Sequence, residues 1–226
     1  MTKNASKETA KAKNRLEGIQ NAPSNGKAKS LRVQPIQPRN FTFSIIGTSP
    51  LIQHAWSEKA LSQLRMTAIE RKKQPKVARD PEAQAQACMY RTDDGKPGLP
   101  ILAFKASLIA AAHKDLGIEK TIVRKALFVP CKDGNKCVPM VASEPICRED
   151  IVRVGMAQTD LRYRPEFREW SAEISVNYDA EMLSEQDIIN LVNRAGFSVG
   201  IGEWRPEKGG EFGRFEFDTN KPAKGN

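Results

Sequence analysis

The chain has 226 residues, of which 39% are hydrophobic and 28% charged, and a mean hydropathy of −0.53, which excludes a collagen-like and a wholly disordered protein. Its longest apolar stretch, residues 101–112, is interrupted by Lys105 and is much shorter than the roughly 20 residues that a membrane-spanning helix needs. The N-terminal lysines are followed by no apolar run, so we predict no secretory signal, no membrane partner and a cytoplasmic location.

Most of the net positive charge lies in the first 40 residues. The chain has 36 Lys or Arg and 27 Asp or Glu, a formal net charge of +9. Residues 1–40 hold nine of these cations and two Glu, so they carry +7, whereas residues 41–217 are almost neutral. With few large aliphatic side chains and no hydrophobic period, residues 1–40 are predicted to form a flexible basic arm, which either binds phosphate or keeps the chain in solution.

Cysteine and histidine spacing argues against a metal site. None of the four cysteines forms a C-x2-C pair, and the two histidines, His54 and His113, lie far apart in the sequence. In a reducing cytoplasm such cysteines are reduced structural thiols. We therefore predict no metal and no cofactor.

The folded part is predicted to begin with a strand and a helix. Hydrophobic side chains alternate over residues 41–47, which predicts a core strand ending in a turn at Ser49-Pro50. Ser57 then begins a predicted helix that ends before Pro75. A loop or partly helical insertion follows and leads to a short predicted strand over residues 88–91.

The middle of the chain is predicted to contain one helix and several short strands. Asp93-Asp94-Gly95 indicates a turn, and a buried helix follows Pro100, with Phe104, Leu108 and Ala112 on one face. Short β-like runs at residues 122–123, 126–129 and 151–154 then indicate a β-rich region with a hairpin.

The final third has the clearest pattern. Residues 171–178 alternate strictly between polar and apolar, which predicts a strand. Ser184 and Asp187 begin a helix that is predicted to end at Gly196, and a last strand carries Phe215 and Phe217. These elements predict an α+β fold of ferredoxin-like type with inserted β-rich segments over residues 41–217, followed by a disordered tail, residues 218–226.

A glycine-rich segment between the last helix and the last strand is the main candidate site. Glycines let backbone N–H groups reach phosphate oxygens, and arginine beside an aromatic ring suits a single-stranded nucleic acid. The segment departs from GxGxxG and follows a helix, which argues against a dinucleotide site. The alternative is a long loop whose glycines only form turns. The candidate contacts are Gly200, Gly202, Trp204, Arg205, Lys208 and Arg214.

Two further clusters of positive charge are candidate nucleic-acid contacts, and each also has a simpler structural explanation. The first alternates arginines with aromatic residues just before the strand at residue 171, where Glu166 and Glu169 could instead neutralise them. The second closes the helix that begins at Ser57, where cations also favour the helix dipole. The residues of the two clusters are Arg162, Arg164 and Arg168, and Arg71, Lys72 and Lys73.

The first of three motifs, Gly47-x-Ser49-Pro50-Leu51, follows the first predicted strand, and the second, Leu99-Pro100 with Lys105, opens a predicted helix. Together with the glycine-rich segment, they resemble the RAMP superfamily of CRISPR-associated RNA-binding proteins, and most of all the backbone subunits of effector complexes. The helix-opening motif of that family commonly reads P-G-S-S-x-K-G, of which only Pro100 and Lys105 match. The third follows the pattern G-[IL]-G-x-x-R…G-[FY]-G-R, with Gly210 shifted by one residue. Its matching residues are Gly200, Ile201, Gly202, Arg205, Gly210, Phe212, Gly213 and Arg214.

The resemblance implies a modified ferredoxin-like (RRM-like) antiparallel sheet with helices on one face, which self-associates along a single strand of nucleic acid. It places the glycine segment, Lys105 and the first helix near the nucleic-acid backbone. Some relatives cleave RNA with a histidine near the first helix, and His54 lies at a comparable place with Lys59 and Tyr90 as helpers. A diverged relative from a phage or mobile element, acting in the host cytoplasm, fits this resemblance.

Three functions are therefore weighed. The leading hypothesis is a sequence-tolerant binder of single-stranded RNA or DNA that forms a homo-oligomer, a filament or a ring, along the strand. The second is an endoribonuclease of the same fold that uses His54, although a lone histidine beside Trp56 is more often a packed or capping residue. The third is a phage structural or anti-defence interaction protein.

Overall fold

The computed structural model describes residues 35–73, 78–130, 136–155 and 158–225. The chain divides into two units, residues 1–35 and 36–226, and the fold described here is that of the second. Up to residue 34, the predicted basic arm lies outside the described residues. None of the helices in the described ranges has the length and apolar character needed to cross a membrane.

The described residues form strands and helices that alternate along the chain. The strands are β1 (Pro38–Gly47), β2 (Leu51–Ile52), β3 (Gly98–Pro100), β4 (Leu127–Phe128), β5 (Cys137–Ala142), β6 (Ile146–Val154), β7 (Gln158–Phe167), β8 (Trp170–Asp179), β9 (Phe215–Phe217) and β10 (Lys224–Gly225). The helices are α1 (Glu58–Arg65), α2 (Ala68–Lys73), α3 (Pro81–Ala87), α4 (Ile101–Asp115), α5 (Lys120–Ala126) and α6 (Glu185–Ser198).

The central sheet is antiparallel and is built around β1 and β8. β9 pairs with one edge of β1, β8 pairs with the other edge, and β5 pairs with β8. Along the chain, the elements β1, α4, β5, β8, α6 and β9 follow the order β-α-β-β-α-β, which is the order of a ferredoxin-like motif. The fold is therefore α+β with antiparallel sheets, as predicted, while the ferredoxin-like assignment stays an interpretation.

The core lies between one face of this sheet and two helices. Phe41, Phe43 and Ile45 of β1 belong to the same buried cluster as Phe104 of α4 and Leu191 of α6. Because side chains alternate between the faces of a strand, these three residues share one face of the sheet. Both helices therefore cover that face.

A long hairpin of β6 and β7 forms a second sheet with β2, and it carries much of the candidate site. Its register places Arg148 opposite Arg164 and Asp150 opposite Arg162, so these four charged residues share one face of the hairpin. The sequence prediction included the end of β6, residues 151–154, but missed β7.

The clearest sequence patterns are confirmed by the structure. β1, β8, β9 and α4 form where the hydrophobic periods predict them. Ser184 and Asp187 form a complete capping box at the start of α6, which continues to Ser198, two residues beyond the predicted end at Gly196.

Three local predictions are wrong. The single helix predicted after Ser57 is two helices, α1 and α2, because Met66 is extended and Thr67 and Glu70 cap a new start. Residues 122–123 lie in α5 instead of a strand, because Val123 and Ala126, three residues apart, are both buried on one helix face. Residues 88–91 form no strand, since Cys88 caps α3 and only Arg91 makes an isolated bridge.

The folded unit extends past both predicted boundaries. β1 begins at Pro38, because residues 38–40 pair with residues 177–179 of β8. In the segment predicted as a disordered tail, Asp218 is buried, and β10 pairs with Thr42 and Phe41 of β1.

Candidate nucleic-acid interface

The segment of residues 200–213, which joins α6 to β9 and is called the glycine loop here, is attached to the connection between β1 and β2. The amide of Gly213 donates to the carbonyl of Pro50 at 2.7 Å, and the amide of Glu203 donates to that of Ile52 at 2.9 Å. Next to the loop, the amide of Arg214 donates to the Ser49 hydroxyl at 2.9 Å. The first and third motifs of the sequence are therefore in direct contact.

The glycines of this loop allow close approach within the chain itself. Gly213 has a φ of +67°, and a Cβ there would overlap the carbonyl oxygen of Ile201. Gly202 has a φ of +83°, and a Cβ there would overlap the carbonyl oxygen of Ile52. Gly200 is buried against Pro206. Internal packing thus explains these three glycines, and their contact with phosphate stays a prediction.

A cleft of about 160 Å³ lies where three distant segments of the chain meet. Pro100 and Ala103 come from the start of α4, Gly202 and Arg205 come from the glycine loop, and His54 follows β2. The helix-opening motif and the glycine loop, separated by about 100 residues in the sequence, therefore line one cleft. Its remaining lining residues are Leu51, Gln53, Tyr90, Leu99, Ile201 and Glu203.

The start of α4 faces this cleft without a side-chain cap. Pro100 occupies the N-cap position and makes no capping hydrogen bond, while the amide of Ile101 donates to the carbonyl of Lys136 at 3.0 Å. The first N–H groups of a helix point outward and carry a partial positive charge. This end of the cleft is therefore suited to an anionic group such as a phosphate.

His54 and Glu203 form a pair inside the cleft, with His54 Nδ1 3.6 Å from Glu203 Oε1. Contact with His54 is the largest cause that lowers the pKa of Glu203, and Arg164, whose Nη2 lies 3.6 Å from Glu203 Oε2, lowers it further. Glu203 is therefore held as a carboxylate. Burial raises the pKa of Tyr90, so its hydroxyl stays protonated and can donate a hydrogen bond.

Arg164 is a buried link between the hairpin and the glycine loop. Its side chain is 3% exposed and lies 3.2 Å from Asp150, which is itself 8% exposed. Asp150 also accepts hydrogen bonds from Arg148 at 2.9 Å and from the indole of Trp204 at 3.4 Å. The Nε of Arg164 is buried without a partner among the described residues. The side chain of Arg164 is therefore engaged within the chain, and its contact with nucleic acid stays a prediction.

Three other predicted arginines already have partners within the chain. Arg205 binds Glu207 at 3.0 Å and the carbonyl of Gly202 at 3.0 Å. Arg162 lies 3.6 Å from Asp160. Arg214 lies 3.4 Å from the exposed Glu211, and its guanidinium stacks on the ring of Phe197. Only part of the binding capacity of these arginines is left for a ligand.

Trp204 has a backbone conformation that residues other than glycine rarely adopt. It has a φ of +53°, the one positive value among the described residues other than glycine. Its side chain is 41% exposed, while its indole N–H points to Asp150. Such backbone strain is concentrated at functional sites. An exposed indole with one fixed edge can offer its face to a base.

The remaining predicted cations lie on several parts of the surface. Lys208, on the turn Pro206–Lys208 of the glycine loop, makes no ion pair in the described part of the chain, and the same holds for Lys105, Arg168 and Lys73. Lys105 lies over the Phe128 ring, 4.4 Å from its centre, and burial lowers its pKa. The side chains of Arg71 and Lys72 lie outside the described residues.

Sequence reasoning missed the acidic partners of the site. Glu203 of the glycine loop and Asp150 of β6 contact His54, Trp204 and Arg164, yet these two acidic residues lie far apart in the sequence. The alternation of Arg148 and Asp150 in β6 was the available signal, because it indicates one charged strand face. No group of three or more potential metal ligands occurs within the ranges that the structure describes.

Comparison with known proteins identifies no family for this chain. No protein-family model matches it, and no curated protein matches its sequence. Among solved structures, a chain of the Type III-B Cmr-beta bound to cognate target RNA is similar at 9% identity and a TM-score of 0.40. This similarity covers 99% of the present chain and 66% of that one. Cmr6 from Pyrococcus furiosus is similar at 13% identity and a TM-score of 0.38, over 81% of this chain and 100% of that one.

Proposed function

We propose that the protein binds single-stranded RNA or DNA with little sequence preference and self-associates along the strand. The observation that carries this proposal is the convergence of the uncapped start of α4 and the glycine loop in one cleft. Their meeting brings backbone N–H groups, His54 and an exposed indole to one region of the surface.

Each part of this region can contact a different chemical group of a single strand. A phosphate accepts hydrogen bonds from the first turn of α4, and the hydroxyl of Tyr90 and the imidazole of His54 line the same cleft. Lys208, on the turn Pro206–Lys208 of the same loop, adds a positive charge that makes no ion pair within the described residues. A base stacks on the indole of Trp204, which is sequence-tolerant because every base has a flat face.

Binding by the folded unit is separable from binding by the basic arm. Residues 1–35 contain eight Lys or Arg and two Glu, a net charge of +6. Deleting them should weaken binding modestly and lower the salt slope, since each lost phosphate contact on a single strand removes about 0.7 from that slope.

Trp204→Ala should weaken binding about fivefold or more at an unchanged salt slope, as expected for one stacked base. Lys208→Ala should lower the slope by about 0.7.

Fluorescence anisotropy on a labelled 20-nucleotide oligouridine and oligothymidine, at three salt concentrations, measures these effects. Lys224→Ala is the matched control for Lys208→Ala, because Lys224 is an exposed lysine of β10 with no ion pair among the described residues. Light scattering of the complexes reports whether several copies follow one strand. Loss of all binding on deletion of the arm, with loop variants that bind like the wild type, would show that the site has been misread.

The cleft also favours a second candidate function, RNA cleavage, because His54 and Tyr90 line it together and Glu203 contacts His54. Under the leading proposal, His54→Ala leaves any cleavage of a labelled RNA by the purified protein unchanged. Gel analysis of the products, with and without EDTA, tests this against wild type and Tyr90→Phe. If His54→Ala abolishes cleavage that the wild type performs, whether or not Tyr90→Phe also reduces it, the endoribonuclease replaces the leading proposal.

A further inference from the structure

A second and larger depression is lined in part by Arg214, the residue that follows the glycine loop. It has a volume of about 870 Å³ and runs between the outer face of α6 and the β9 strand. We call it the α6–β9 groove. Its lining includes Asn193, Arg194, Phe197, Arg214 and Glu216.

An exposed aromatic ring stands in this groove. Phe197 is 64% exposed, because it lies on the solvent side of α6, whose buried side consists of residues such as Ile188 and Leu191. The guanidinium of Arg214 lies 4.6 Å from the centre of its ring and covers one face. A single exposed phenylalanine needs no functional explanation. Here, however, the ring is fixed by a cation, lines a large groove and keeps its other side accessible.

The groove also offers positive charge and an amide donor. Arg194, one turn before Phe197 on α6, makes no ion pair among the described residues. The Oδ1 atom of Asn193 accepts the backbone N–H of Phe217 at 2.8 Å, which leaves the amide nitrogen of Asn193 to donate. Glu216 is the one acidic residue in the lining. The chemistry therefore combines a flat apolar surface, a cation for phosphate and a donor for a base edge.

We infer that the α6–β9 groove holds one nucleotide of the bound strand, with the base on Phe197 and the phosphate at Arg194. This inference rests on the proposed function and extends its site past the cleft. The glycine loop and the residue that follows it contribute to both depressions, since Gly202 and Arg205 line the cleft and Arg214 lines the groove. An aromatic ring is stabilised when an arginine packs on one of its faces and a base stacks on the other.

Variants of Phe197 and Arg194 test the inference in the full-length protein with a labelled 20-nucleotide oligouridine. Phe197→Ala and Phe197→Leu should each weaken binding about fivefold or more at an unchanged salt slope, the loss expected for one stacked base. Phe197→Tyr should bind like the wild type. Arg194→Ala should lower the salt slope by about 0.7. Glu216→Gln should strengthen binding, because it removes a negative charge beside the phosphate.

Val141→Ala and Arg153→Ala are the matched controls, because both residues are exposed and lie outside both depressions. If Trp204→Ala weakens binding while the Phe197 and Arg194 variants bind like wild type, the inference is overturned and the proposed function stands. If the wild type binds no oligonucleotide, both fail together. A Phe197 variant that changes the mass of the assembly but not the affinity would instead identify the groove as a protein contact, which also overturns the inference.

Discussion

Gly213→Ala is expected to destabilise the folded protein by roughly 3 kcal/mol or more, and to weaken nucleic-acid binding with it. The φ of +67° at Gly213 costs a non-glycine residue about 1–2 kcal/mol. In addition, the new methyl group would overlap the carbonyl oxygen of Ile201, to which this part of the loop must stay close. Because the amide of Gly213 also binds Pro50, the strain cannot be relieved without detaching the loop from the β1–β2 connection.

Gly209→Ala separates the cost of the backbone conformation from the cost of crowding. Gly209 has a similar φ of +80°, but no atom of the described residues lies within 4 Å of a Cβ placed there. The free energy of unfolding of this variant should fall by only about 1–2 kcal/mol. Urea unfolding followed by circular dichroism measures both variants. Equal losses would mean that the loop is free to shift, and that its close packing does not fix the site.

The parts of the fold that could be predicted are those in which neighbouring residues decide the structure. β8 alternates strictly between polar and apolar residues, and α6 begins with a capping box, so local sequence and final structure agree. Ile122 and Val123 show the opposite case. Their β-branched side chains favour a strand, but the burial of Val123 together with Ala126 favours a helix, and tertiary packing prevails.

The cleft could be predicted only in part, because its parts are far apart in the sequence. The glycine loop and the start of α4 were recognised from their residues, yet nothing in either segment indicates that Ala103 and Gly202 line one cleft. The role of Arg164 could not be predicted for the same reason. Its burial depends on the register of the hairpin, which places it beside Asp150, and on Glu203 from the glycine loop.

Asp150→Ala is expected to destabilise the protein by about 3–5 kcal/mol, because it leaves the buried guanidinium of Arg164 without its nearest counter-charge. Glu203, at 3.6 Å and 40% exposed, cannot replace it fully. Trp204 would also lose the acceptor of its indole N–H, so the exposed face of the indole would no longer be fixed. We expect weaker binding in addition to lower stability, measured by urea unfolding and by fluorescence anisotropy.

Asp160→Ala provides the control on the same hairpin. Asp160 pairs with Arg79 at 2.9 Å and with Arg162 at 3.6 Å, but all three side chains are partly exposed, so its loss should cost less than about 1 kcal/mol. Adding Arg164→Met to Asp150→Ala should recover part of the stability, because it removes the unpaired buried charge and keeps the volume. It should not recover binding, since the indole of Trp204 stays unanchored. If Asp150→Ala and Asp160→Ala lower the free energy of unfolding by the same amount, Arg164 is hydrated in solution and does not link the hairpin to the glycine loop.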